Sequence, residues 1–119
     1  MEDSLALAAF AALAQETRLC VVRLLVKAGP QGMAAGAIGE AMEGASSSRM
    51  SFHLSQLEQA GLVSSRREGR SIIYSAAYPA LSDLVAFLMK DCCNGHPEVC
   101  APAMAALSTC CAEEGTPHA

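Results

Sequence analysis

The sequence predicts a mainly α-helical fold that carries one β-hairpin, in the order α-α-α-α-β-β-α, and three observations predict it. Apolar residues recur at helical spacing in five separate segments. A single pair of β-rich runs is divided by Glu68-Gly69, a two-residue hairpin signal. Of the 119 residues, 52% are hydrophobic but only 4% aromatic, and Trp is absent, so the core is expected to form between closely approaching helices rather than between facing sheets. A chain of this length builds one modest core and gains by burying more apolar surface against a second copy.

The elements follow in order. Behind Asp3 and Ser4, both good capping residues, Leu5, Ala8, Ala9, Ala12 and Leu13 predict a first helix over residues 3–13. A second is expected from Gln15 to Ala28, with Leu19, Val22, Leu25 and Val26 on one face and Gly29-Pro30 as its stop. A weaker third, weakened by Gly36 and Gly39, spans residues 33–42 with Met33, Ala37, Ile38 and Met42 inward. A fourth begins at Ser46, buries Met50, Leu54 and Leu57, and ends at Gly61. Strands are expected over residues 62–67 and 70–76. Pro79 then opens a last amphipathic helix, with Leu81, Leu84, Val85 and Leu88 at i, i+3, i+4 and i+7, which Asn94-Gly95 ends.

Composition narrows the class. The sequence contains no apolar run long enough to span a bilayer, and its first residues lack the basic segment of a secretory signal, so a cytoplasmic location is expected. There the six cysteines should be thiols, and five of them fall between residues 92 and 111, a clustering that suits a ligand set better than a disulfide framework. The expected organisation is a compact domain over residues 1–90 and a cysteine-rich tail over 91–119. No paired catalytic base, phosphate loop or C-x-x-C motif supports an enzyme.

The net charge of −4 argues against indiscriminate coating of nucleic acid, but between residues 45 and 78 four arginines face two glutamates. A short helix, a tight turn at Gly44-Ala45, a longer helix and a basic hairpin make a winged helix-turn-helix, whose longer helix enters the major groove. With its apolar stripe inward, Ser47, Ser48, Arg49, Ser51, Phe52 and His53 are left to meet DNA, Arg49 being the best suited to bidentate guanine contact. His53 equally suits a polar position packed beside the turn. Arg66, Arg67 and Arg70 flank the hairpin tip, where phosphates would lie.

These parts resemble the ArsR family of winged-helix metalloregulators over roughly residues 5–90. The resemblance is carried by Leu13-Ala14-Gln15-Glu16-Thr17-Arg18-Leu19, by Ser46-Ser47-Ser48-Arg49-Met50-Ser51-Phe52-His53-Leu54 with Leu57, and by Ala60-Gly61-Leu62-Val63 leading to Arg67-Glu68-Gly69-Arg70 and Tyr74. It implies a homodimer built on the first and last helices, a partly palindromic double-stranded operator, and repression relieved by an inducer.

Many arsenic-sensing members carry cysteines in the helix before the reading helix, and residues 33–45 contain none. Other arsenic sensors resemble this chain in placing adjacent cysteines just after the last helix, with a third a few residues on, as in Cys92, Cys93 and Cys100. Three thiolates suit trivalent arsenic or antimony, whose fourth direction is a lone pair. No organic cofactor is implied. Alternatives stay open: His96, Cys110 or Cys111 could complete a tetrahedral zinc or cadmium site, and Cys92 or Cys93 could serve a redox or persulfide switch. A thiol metal carrier without a regulatory role is a further reading. Cys20, alone on the second helix, is expected to be a small buried hydrophobe, and the methionines core filler.

Overall fold

The computed structural model describes residues 1–42, 47–89, 98, 101–102 and 105–106. The chain divides into two compact units, Met1–Leu84 and Val85–Ala119. The first carries α1 (Asp3–Leu13), α2 (Glu16–Ala28), β1 (Met33–Ala34), α3 (Ala35–Ala41), α4 (Ser47–Gln59), β2 (Val63–Glu68), β3 (Ser71–Ala76) and the opening of α5 (Tyr78–Met89). No single described helix is long and apolar enough to cross a membrane.

Helix α1 is turned in part from the stripe Leu5, Ala8, Ala9, Ala12 and Leu13, since Ala9 and Ala12 are inward as expected but Leu5 and Ala8 are exposed. Its buried face is Ala6, Ala9 and Ala12, whereas Leu5, Leu7 and Phe10 are exposed by 55%, 68% and 36%. Small side chains let the axis approach α2 and α4 closely, which larger ones on that face would prevent. At Ala14 and Gln15 the chain turns through 102° into α2, and Gln15 Oε1 caps the new helix by accepting from the Arg18 backbone N–H at 2.9 Å.

Helix α2 buries Val21, Val22 and Leu25, while Leu19 and Val26, expected inside, are 45% and 42% exposed. Because α2 packs against α1, α4 and β3, these neighbours select an arc shifted by part of a turn from the one the spacing suggested. The same shift leaves Cys20 exposed, correcting its expected burial.

Residues 33–42 are not one helix. Met33 and Ala34 form a short strand that pairs antiparallel with β3, Met33 opposite Tyr74 and Ala34 opposite Ile73, and α3 begins only at Ala35. The approach is close at Gly32, which has φ +72°; a Cβ there would stand 2.4 Å from the Tyr74 carbonyl oxygen. Replacing Gly32 by Ala combines a left-handed backbone with a backbone clash, so it should cost more than about 1 kcal/mol. Thermal unfolding should show a lower midpoint for Gly32→Ala, and none for Gly36→Ala, where a Cβ meets nothing within 4 Å.

Helix α4 buries Met50, Leu54 and Leu57 as expected. It ends in a paired closure, Gly61 N–H donating to the Glu58 carbonyl and Leu62 N–H to the Leu57 carbonyl, both at 3.0 Å. The chain then enters a three-stranded sheet of order β1-β3-β2, with β2 and β3 paired from Val63 opposite Ala76 to Glu68 opposite Ser71. The two-residue loop is therefore Gly69-Arg70, one position later than the spacing suggested. The reason is that Gly69, at φ +63°, takes the first loop position, where a positive φ is needed.

Leu25, Ile38, Leu54, Leu57, Leu62 and Val21 are almost wholly buried, so α2, α3, α4 and the entry to β2 share one core. Of the α5 stripe, Leu84 is buried and Val85 and Leu88 are exposed. At the start of that helix, the Tyr78 hydroxyl donates to the Val26 carbonyl at 3.2 Å.

Candidate nucleic-acid interface

With Met50, His53, Leu54 and Leu57 turned inward, the opposite face of α4 is left to solvent. Ser48, Arg49, Ser51 and Phe52 are exposed, Phe52 by 57%. Ser47 opens the helix, and its side chain lies outside the described residues. This is the arrangement a groove-reading helix requires: short hydroxyl side chains near its N-terminus, where it can approach a duplex, and a guanidinium able to reach a base edge. From the last turn of α4, Glu58 Oε2 accepts from the Ser65 hydroxyl at 2.8 Å, linking the helix to β2. Burial, with the Glu58 charge adding to it, pushes the nearby Tyr74 phenol above its ordinary value.

The three wing arginines separate into two kinds. Arg67 and Arg70 are exposed at the hairpin tip. Arg66 instead pairs with Glu68 through Nε at 2.7 Å, and its Nη2 donates to the Gln31 carbonyl at 2.7 Å. Its guanidinium ties the hairpin to the segment before β1, and alternation along β2 turns it away from Arg67.

His53 takes the packed one of the two positions the sequence allowed. It is only 7% exposed, its Nδ1 lies 3.2 Å from Arg18 Nη1, and its ring tilts at 59° to Phe52 with centroids 5.9 Å apart. A guanidinium only donates, so Nδ1 is the acceptor and the neutral ring carries its proton on Nε2. Arg18 is in turn held by its Nε, which donates to the Ala12 carbonyl at 2.7 Å. Sequence reading missed Arg18 as a site residue. Its spacing to Val21, Val22 and Leu25 already put a cation on the inner arc of α2, and that was the available signal.

Burial first, then the Arg18 and Arg49 charges, hold the His53 pKa below 6.5. An unfolded chain therefore binds a proton at this position at a higher pH than the folded one. Its contribution to stability is complete above about pH 6.5 and is lost as pH falls through the depressed folded value. Urea midpoints should accordingly decline from about pH 6.5 downward in the native chain, and His53→Gln should remove that part of the decline.

Among the described residues, no three His, Cys, Asp or Glu side chains gather as a metal site would require. Cys92, Cys93, His96, Cys100, Cys110 and Cys111 lie outside the described residues.

Residues 13–66 match a family described as a helix-turn-helix domain. The probable mercury resistance operon repressor of Streptomyces lividans is 35% identical over 97 residues, covering 74% of each chain. The homodimeric winged helix-turn-helix DNA-binding domain of Mycobacterium bovis, a possible ArsR-family transcriptional regulator, is 26% identical with a TM-score of 0.60. That similarity covers 76% of this chain and 89% of the other. The chain belongs to the ArsR family of winged-helix transcriptional regulators. A possible transcriptional regulator for arsenical resistance is similar too, at 32% identity and a TM-score of 0.57 over 66% of this chain and 77% of that one. Ser48, Arg49, Ser51, Phe52, Arg67 and Arg70 project from α4 and the β2–β3 hairpin, the longer helix and the wing of this winged helix-turn-helix.

Proposed function

We propose that this ArsR-family chain is a homodimeric cytoplasmic repressor, held on a double-stranded operator by α4 and the wing and released when Cys92, Cys93 and Cys100 capture trivalent arsenic. The observation that carries the reading is the joining in one chain of an exposed reading face on α4 to three cysteines spaced closely in the sequence. Three thiols condensing with arsenous acid form three As–S bonds and release three waters, so capture needs neither oxidant nor reductant. The ion's lone pair leaves a pyramidal site that a trio of thiolates satisfies. The relatives named for mercury and arsenical resistance support a thiophilic inducer. Dimerisation is supported by the outward Leu5, Leu7 and Phe10 of α1 and by the homodimeric M. bovis neighbour.

The test is anisotropy of a labelled duplex obtained by selection from random sequence. Arsenite should release the native protein, whereas Cys92→Ser, Cys93→Ser or Cys100→Ser should bind the duplex normally and stay bound. Release needs only that the ion distinguish the two states by a few kcal/mol, since each 1.4 kcal/mol is about tenfold in DNA affinity. Release of all three variants by arsenite would exclude this thiol trio. Cadmium or zinc acting instead, with dependence on His96, Cys110 or Cys111, would favour the tetrahedral reading, and peroxide acting instead would favour the redox one.

A further inference from the structure

A single guanidinium region draws three segments together. The Arg18 backbone N–H is capped by Gln15, its Nε holds the Ala12 carbonyl at the end of α1, and its Nη1 reaches His53 in the middle of α4. Glu16, Arg23 and Lys27 on the same helix are exposed, whereas Arg18 is half-buried. His53 follows Phe52 and lies one turn beyond Arg49, both on the exposed part of the helix. Its ring therefore joins the reading face to the body of the fold from behind.

We propose that Arg18 and His53 are positioning residues for DNA reading: their hydrogen bond sets the rotation of α4 on α2, and a proton added to His53 Nδ1 releases it, weakening DNA binding in mild acid. The chemistry is that of donor and acceptor count. Neutral His53 offers Nδ1 as an acceptor to a group that only donates; the imidazolium offers two donors and a positive charge to the same guanidinium. The bond becomes a repulsion, and either the ring turns out of its buried position or α4 rotates.

The charges that weigh on His53 are Arg18 from α2 and Arg49 from α4, and both oppose the imidazolium, as does burial. No carboxylate among the described residues relieves them. The acidic groups of the elements packed on α4 are Asp3 at the far end of α1, Glu16 of α2, Glu40 of α3 and Glu68 of β2, with Glu58 on α4 itself. Glu58 is engaged by Ser65 and Glu68 by Arg66.

The sign of the effect makes the device testable. A histidine that touched phosphate would bind DNA more tightly when protonated, because it would add a positive charge at the backbone. The Arg18–His53 joint requires the reverse. Between about pH 7.5 and about pH 5, at constant salt, the native protein should lose at least about tenfold in affinity for its selected duplex, with the far-UV circular dichroism unchanged. His53→Gln presents an Oε1 that accepts from Arg18 at either pH, so it should lose less than about threefold while retaining His96 and His118. A second measurement needs neither a variant nor DNA: long-range 1H–15N spectra at about pH 7.5 should show His53 protonated on Nε2. Equal or tighter DNA binding in acid, an equal loss in His53→Gln, or a ring protonated on Nδ1 would each overturn the proposal. Arsenite enters neither measurement, so the joint and the inducer site succeed or fail separately.

Discussion

Replacing Leu57 by Ala should lower the unfolding free energy by about 2–5 kcal/mol. Leu57 is 0% exposed, and its carbonyl accepts the Leu62 N–H that closes α4. Its side chain belongs to the same almost wholly buried set as Leu25, Ile38, Leu54 and Leu62. Truncation removes apolar contacts and leaves a cavity that the surrounding helices cannot all close. Against a total of about 5–15 kcal/mol for a domain, that is a large share. Urea denaturation followed by circular dichroism should show a lower midpoint with an unchanged slope, the signature of lost stability rather than of an altered unfolded state. Ser51→Ala, on the outward face of the same helix, should stay within about 0.5 kcal/mol of the native protein. A Leu57→Ala midpoint equal to that of Ser51→Ala would mean that α4 is not seated through this stripe.

The second large effect falls on DNA. Arg49→Ala should cost about 1–3 kcal/mol in binding the selected duplex and should relax discrimination at one base pair of each half-site, as the loss of a bidentate guanine contact does. Arg49→Lys should recover little, because an ammonium lacks the planar fork. Arg67→Ala and Arg70→Ala should behave differently. Their guanidinium groups are exposed at the wing tip, and on the proposed reading they meet phosphate, so affinity should fall across all sequences and the salt dependence should flatten by about one charge for each replacement. Arg66→Ala should do neither in full, since that side chain is bound to Glu68 and the Gln31 carbonyl. Selection repeated with Arg49→Ala is the decisive measurement: an unchanged consensus would remove Arg49 from base reading.

The legible part of the sequence was the part written in local pattern. Met50, Leu54 and Leu57 repeat at helical spacing, and Phe52 alone among the apolar residues of the helix falls off that stripe, so the buried face of α4, and hence Ser48, Arg49, Ser51 and Phe52 on the other side, could be read directly. The hairpin was equally plain in its β-rich runs, apart from one residue of loop position. In α1 and α2, apolar residues occur nearly all round the helix, and local spacing alone cannot choose among several faces.

The sequence by itself determined the order of the helices and of the two hairpin strands, the winged helix-turn-helix class, the buried stripe of α4 and the crowding of five cysteines between residues 92 and 111. Only the tertiary structure decided that alanines rather than leucines face inward on α1, that Met33 and Ala34 pair with β3, that His53 is packed inward against Arg18, and that the exposed Arg66 is paired with Glu68 and the Gln31 carbonyl. The physical reason is range. Helical periodicity is a property of neighbours along the chain, but His53 meets Arg18 and Arg66 meets Gln31 across 35 residues of sequence in each case. Which polar side chain satisfies which donor or acceptor is settled only when distant segments are brought within hydrogen-bond reach.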